Sequence, residues 1–283
     1  MAEFTRIFSD VHYGDRASRA RSLAQLAPLL EGVSSLVLNG DTLDTRPGPD
    51  SSRTAEMIAE VEAFFPRRVP QVTFLTGNHD ANLTPHHTLE LASGEIFVTH
   101  GDILYDDLVP WSQDAPHIRE LLAQEFSKLP IANHDNLETR LDVYRRVAIS
   151  IPQRHQSERN FLKFALQFAN DTVWPPSRLA RILRSWRDMP ELATSVLRRH
   201  RPSAKFIVIG HTHRPGIWRR RDGRVVINTG SFSRPLGGCV VDLMPNRIVV
   251  RKIEARRNEF HAGATIAEFA LAETRPLTET HSP

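Results

Sequence analysis

Five short apolar runs organise the chain, at residues 4–8, 35–39, 71–75, 95–99 and 205–209. Each has the length of a buried strand rather than of a helix. Between the first three lie stretches with apolar residues at helical spacing. Leu23, Leu26, Ala27 and Leu30 predict a crossover helix over 18–30. A second amphipathic helix is predicted over 55–65, punctuated by Pro66 and Pro70. Strand, helix, strand in this order predicts parallel pairing, which needs a crossover of about a dozen residues or more. Further strand patterns fall at 224–231, 239–243 and 247–253, with Met244-Pro245-Asn246 as the turn between the last two.

The pattern changes between 104 and 203. No strand pattern and no glycine occur there, and segments 118–126, 137–149, 160–168, 178–187 and 192–200 read as helices. No low-complexity linker flanks the stretch, so it reads as a helical insertion, or cap, within an α/β domain. In 178–187, Leu179, Ile182, Leu183 and Trp186 share one face, which predicts a core stripe. Arg178, Arg181, Arg184 and Arg187 share another face. That face is either solvated or meets an anionic ligand or membrane surface. The domain plan is therefore a core at 1–103 and 204–260, a cap at 104–203, and a polar, partly disordered tail at 261–283.

Composition narrows the function classes. With 283 residues, 40% of them hydrophobic, the chain can bury a core of full domain size. One cysteine, Cys239, excludes an internal disulfide and a cysteine metal site. The first residues lack the features of a signal peptide, and no apolar run approaches the ~20 residues of a membrane span. A cytoplasmic location is expected. The net charge of +3 suits an anionic partner without demanding one. An aromatic content of 7% gives little for stacking bases, so nucleic acid is not the expected partner.

Each of the five apolar runs ends in ligand-type side chains: Asp10/His12, Asp41/Asp44, Asn78/His79, His100 and His211/His213. In extended backbone, Asp10 and His12 would share one side, as would His211 and His213. The ends of strands in α/β sheets are where sites are built. Ionisable groups clustered beside apolar runs are costly to bury without partners, and divalent cations are suitable partners. Oxygen and nitrogen donors without thiolate suit Mn, Fe, Zn or Mg.

The series Asp10-x-His12, Gly40-Asp41-x-x-Asp44, Gly77-Asn78-His79-Asp80, His100-Gly101-Asp102 and Gly210-His211-Thr212-His213 resembles the five-motif signature of the calcineurin-like metallophosphoesterases. The resemblance spans residues 4–103 and 204–254. It implies a four-layer α/β/β/α sandwich carrying two divalent metal ions, Mn first among Mn, Fe, Zn and Mg. It places Asp10, His12, Asp41 and His213 on one ion. Asp41, Asn78, His100 and His211 fall on the other, with Asp41 bridging. His79 matches the family's catalytic histidine, which contacts phosphate together with Asn78 and protonates the leaving oxygen. Asp44 matches the acid that orients that histidine. Asp102 is expected behind His100, residues 228–231 at the floor, and Arg214 as a phosphate contact.

The implied activity is hydrolysis of a phosphomonoester, phosphodiester or pyrophosphate by in-line attack of a metal-bridging hydroxide. The cap position, residues 100–107 and residues 211–215 are also similar to the UDP-2,3-diacylglucosamine hydrolases of lipid A synthesis. Asn160 and Lys163 are similar to a polar pair that holds substrate there. That branch has Arg where this chain has His79. The lipid-nucleotide pyrophosphatase is thus an alternative, and a non-catalytic scaffold of the same fold is another. The implied partner is a phosphorylated small molecule or lipid nucleotide. In the lipid case, the basic helix would touch the inner face of a membrane.

Overall fold

The computed structural model describes residues 4–48, 50–152, 176–233 and 235–272. The first sheet contains β1 (Thr5–Phe8), β2 (Ser35–Asn39) and β3 (Gln71–Leu75), which run parallel. It continues antiparallel through β9 (Cys239–Met244), β10 (Arg247–Arg256) and β11 (Glu259–Ala270) in the order β11-β10-β9-β1-β2-β3. The second sheet has the order β4-β5-β6-β8-β7. Its parallel centre is β5 (Ile96–Thr99), β6 (Phe206–Ile209) and β8 (Val225–Asn228). Two antiparallel edges flank it, β4 (Thr88–Leu91) and β7 (Gly216–Arg219).

Alternation along the strands splits their side chains between three cores. Ile7 and Val37 point between the sheets, where they meet Val98, Phe206, Val208 and Ile227. Their neighbours Phe8, Leu36 and Leu38 point outward onto Leu26, Leu29, Val61 and Phe65 of the first helical layer. On the other sheet, Phe97, Ile207, Ile209 and Val226 face Leu141, Val147, Met189 and Leu197. Each such side chain, fully buried, contributes roughly 1.5–3 kcal/mol. The result is helix, sheet, sheet, helix, the four-layer sandwich.

The outer helical layers are α1 (Ser51–Phe64) on one side and α2 (Ala115–Ser127), α3 (Leu137–Ser150) and α4 (Pro176–His200) on the other. The described helices between 104 and 203 are therefore themselves the fourth layer, packed on the second sheet.

The structure differs from the sequence pattern in four places. The 18–30 segment forms a 3-10 helix at Leu23–Leu30, with Pro28 inside it. Leu23, Leu26 and Leu29 lie on one edge of a three-residue period, so i, i+3 spacing serves this helix as well as an α-helix. The 178–187 and 192–200 segments are one helix, α4, running through Pro190. Its core contacts come from Met189, Ala193 and Leu197, while Leu179 and Leu183 are 42% and 52% exposed. The Leu179–Trp186 stripe is thus not core. Residues 259–270, assigned by composition mostly to a tail, form β11. A two-residue turn at Arg257-Asn258, both at positive φ (49° and 67°), folds β11 back on β10. Phe260 faces the first helical layer and Phe269 the space between sheets, so no single alternating stripe marks the strand. The predicted helix at 160–168, with Asn160 and Lys163, lies outside the described residues.

Candidate metal centre

The polar clusters gather at the carboxyl ends of β1, β2, β3, β5 and β6. Their convergence does not come from strand alternation. Asp10, His12, Asp41, His211 and His213 all have left-handed backbone, with φ of 53°, 49°, 53°, 66° and 55°. Each such residue costs on the order of 1–3 kcal/mol and persists only where its surroundings hold it. Here the loops after β1 and β2 hold each other: Asp10 N–H donates to Gly40 O (3.1 Å), His12 N–H to Asp41 O (3.0 Å) and Tyr13 N–H to Thr42 O (2.8 Å). Gly40, at φ +80°, has no room for a side chain, because a Cβ would lie 2.5 Å from His100 Nδ1. Asp80 ties the next loop in, accepting from Thr42 N–H (2.6 Å) and Gly77 N–H (2.8 Å).

Two groups of donors result, Asp10 with His12 and His213, and Asp41 with His100 and His211. His12, Asp41 and His79 form a third, overlapping group between them. In the first, His213 Nε2 is 3.2 Å from Asp10 Oδ1 and 3.1 Å from His12 Nε2. Asp41 Oδ2 faces both sides, 3.7 Å from His12 Nε2 and 3.3 Å from His100 Nε2. The orientation of each imidazole is set from behind. His100 Nδ1–H donates to Asn39 O (2.9 Å), which turns Nε2 toward Asp41. His211 Nε2–H donates to Leu108 O (2.8 Å), which leaves Nδ1 as its free donor atom. Asp10 accepts the His211 N–H, 3.1 Å from Oδ2, and the Ser9 hydroxyl.

All these groups except His79 and His213, which are half-buried, are buried. Burial opposes their charges, and their neighbours override it. Asp10 lies well below the usual carboxylate range because His12 and His213 outweigh its burial. Despite burial, Asp10 and Asp41 push His12 up to about 9. Asp41 raises His100 in the same way. His211 is pushed down to about 3 by burial and by His100.

Among the described residues, the buried Asn78 Oδ1 has no hydrogen-bond partner, and the buried His100 Nε2 has only the Asp41 carboxylate 3.3 Å away. An orphaned buried acceptor costs about 1–3 kcal/mol, and each of these is a competent donor atom for a cation. Nitrogen and oxygen donors in two groups, Asp41 facing both, and the unpartnered Asn78 Oδ1 beside them together fit two divalent ions.

Beside the clusters, His79 Nδ1 is 3.2 Å from Asp44 Oδ2. Asp44 is gripped by Arg46, Nε to Oδ1 at 3.0 Å and Nη2 to Oδ2 at 2.7 Å. Burial lowers the His79 pKa, and Arg46 lowers it further. His79 N–H also donates to Asp41 Oδ1 (2.8 Å). A pocket of about 430 Å³ opens over Asp41, Asn78, His79, His211 and His213, and its other wall includes Val109, Trp111, Ile182 and Trp186.

A family model described as calcineurin-like phosphoesterase matches residues 6–215. The chain belongs to this family. A dimetal phosphatase from Danio rerio is similar in structure at 17% identity, with 95% of this chain and 98% of that chain covered and a TM-score of 0.46. A predicted phosphoesterase from Streptococcus pneumoniae is similar at 16% identity, with 96% and 99% covered and a TM-score of 0.38. Vacuolar protein sorting 29 from Cryptosporidium parvum is similar at 12% identity, with 95% and 99% covered and a TM-score of 0.40. No curated protein matches the sequence.

Of the residues singled out in the sequence, nine converge: Asp10, His12, Asp41, Asp44, Asn78, His79, His100, His211 and His213. Two others make different contacts from those expected. Arg214 donates to Trp186 O (3.2 Å) and lies over the Trp186 and Trp218 rings, and it is not among the residues lining the pocket. Asp102 accepts the Ile103 N–H (3.0 Å), and it is the Asn39 carbonyl that orients His100. The 228–231 stretch does underlie the site: Asn228 Nδ2 holds Gly210 O (2.7 Å), and Thr229 Oγ1 is 2.6 Å from Ser9 Oγ. Sequence reasoning missed Arg46, Trp111 and the role of Trp186. Only Arg46 left a local trace, two residues after Asp44 in the same loop.

Proposed function

We propose that this protein is a dinuclear metal-dependent phosphoric ester hydrolase. The observation that carries the reading is the pair of donor groups with Asp41 Oδ2 facing both, beside the unpartnered Asn78 Oδ1. Asp10, His12, Asp41 and His213 would hold one ion, and Asp41, Asn78, His100 and His211 the other, Mn being the first candidate over Fe, Zn and Mg. When bound, such a pair polarises phosphoryl oxygens and supplies an activated water.

The chain's own residues supply the rest. Asp41 is fixed by the His79 N–H, so the shared carboxylate does not swing. His79 has Nδ1 turned to Asp44, which presents Nε2 on the opposite side of the ring for the leaving oxygen of the ester. Asp44 fixes that ring, and Arg46 fixes Asp44. Proton delivery by a positioned imidazole is worth about 10²–10⁴ in rate.

The lipid-nucleotide pyrophosphatase reading has one observation in its favour. Val109, Trp111, Ile182 and Trp186 face the pocket, an apolar wall that a purely polar phosphoester does not use. If it holds, Leu179 and Leu183, exposed on α4 near Arg181 and Arg184, support peripheral contact with an anionic membrane face in a cytoplasmic protein. The scaffold reading is disfavoured by the complete donor set. Turnover of a chromogenic phosphomonoester against a phosphodiester, with Mn added, tests the proposal. No turnover on either, with two ions bound, would remove the hydrolase and leave the scaffold.

A further inference from the structure

Position 39 departs from the pattern of its own strand. Along β2, Leu36, Val37 and Leu38 are apolar and buried, and Val37 points between the sheets. Alternation turns position 39 to the same side as Val37. An apolar residue is expected there, yet the residue is Asn39, with no exposed surface. Its Oδ1 has no hydrogen-bond partner among the described residues, which costs about 1–3 kcal/mol. Packing alone does not call for this amide.

The contacts of Asn39 give it a task. Its Nδ2 donates to Thr99 O (2.9 Å) and, at 3.4 Å, to Val208 O, so it reaches from the first sheet to two strands of the second. Thr99 directly precedes His100, and Val208 lies three residues before His211. Asn39 itself lies two residues before Asp41, and its carbonyl accepts the His100 Nδ1–H. One residue thus joins the three strand ends that carry Asp41, His100 and His211. The Asp10 group is tied across the sheets by another pair. Thr229 Oγ1, just after β8, is 2.6 Å from Ser9 Oγ, just after β1, and the Ser9 hydroxyl donates to Asp10.

We infer that Asn39 is a positioning residue for one ion of the pair, the one at Asp41, His100 and His211. By tying β2 to β5 and β6 it sets how closely the two imidazoles of the second sheet approach the carboxylate of the first. This rests on the two-ion reading. Asp41 keeps its backbone bond to His12 in the β1 loop without Asn39, so the loss of the amide falls on His100 and His211.

The test is a zinc titration of the full chain, stripped with a chelator, followed by calorimetry and by the imidazole nitrogen resonances. One ion shifts His12 and His213, and the other shifts His100 and His211. Asn39→Leu fills a similar volume without the amide hydrogens. It is expected to weaken the ion at His100 and His211 by about 10–100-fold, the range for groups that orient metal ligands, and to leave the ion at His12 and His213 unchanged. Thr229→Val is expected to do the reverse. Asn39→Ala repeats the measurement with no risk of overfilling the site, and melting curves of the metal-free variants check that they fold. Unchanged affinity at both groups overturns the inference. Equal weakening of both ions, or failure of both Asn39 variants to fold, makes Asn39 a residue of the fold alone and also overturns it. Wild-type protein that binds fewer than two zinc ions removes the two-ion reading itself, whatever the variants do.

Discussion

Asp41 divides its two oxygens between two tasks: Oδ1 accepts the His79 N–H at 2.8 Å, and Oδ2 stands 3.3 Å from His100 Nε2. One oxygen is therefore committed to the protein, and the other faces His12 of one donor group and His100 of the other. Asp41→Ala should release at least one of two bound ions. Elemental analysis of the purified variant checks this, and two ions still bound would remove Asp41 from the shared position.

His79 touches Asp44 and the Asp41 carboxylate, yet the two four-donor sets are complete without it. His79→Ala is therefore expected to keep both ions and to lose about 10²–10⁴ in kcat. Metal content measured beside turnover separates the two effects. Near wild-type kcat would reassign the proton donor.

Arg46 acts through Asp44. A bidentate guanidinium grip is not reproduced by an ammonium, so Arg46→Lys should behave more like Arg46→Ala than like wild type. Arg46 also depresses the His79 pKa, so removing its charge should move the His79 titration to higher pH. NMR titration of that imidazole reads the shift directly, and Arg46→Lys, which keeps the charge, should move it less than Arg46→Ala.

Five ligand-type residues are held in left-handed backbone around two buried carboxylates. Ions bound there favour the folded state by mass action. Added Mn should raise the melting temperature, a chelator should lower it, and Asp10→Ala should shrink the difference. Differential scanning fluorimetry across a metal titration checks all three.

Cys239 is buried, and burial alone pushes its thiol from 9.0 up to about 12. The folded thiol keeps its proton where the unfolded one has lost it. This contribution to stability is whole below pH about 9 and is lost as pH climbs toward 12. Urea midpoints measured across that range should fall less steeply for Cys239→Ala than for wild type. In the native protein at neutral pH, the thiol should not react with a disulfide reagent.

The strands and their terminal clusters were legible because both leave local marks: an apolar run, a glycine, then polar donors. Nine residues of the site could be named on that basis. How they converge was not legible. The sequence suggested that Asp10 and His12 share a side of extended backbone, whereas both sit in left-handed turns fixed by the β2 loop, a contact between segments about thirty residues apart. The apolar stripe of α4 was read as core for a related reason. Ile182 and Trp186 have the spacing of buried residues, but they face the pocket. β11 was hidden because its buried residues change from one face of the sheet to the other along its length.

Trp186 donates its indole N–H to the carbonyl of Thr212 at 2.9 Å, between His211 and His213. The helix that roofs the pocket is thereby fastened to the loop that carries two donors. Lifting this roof to admit a bulky molecule would tug on the coordination shell itself.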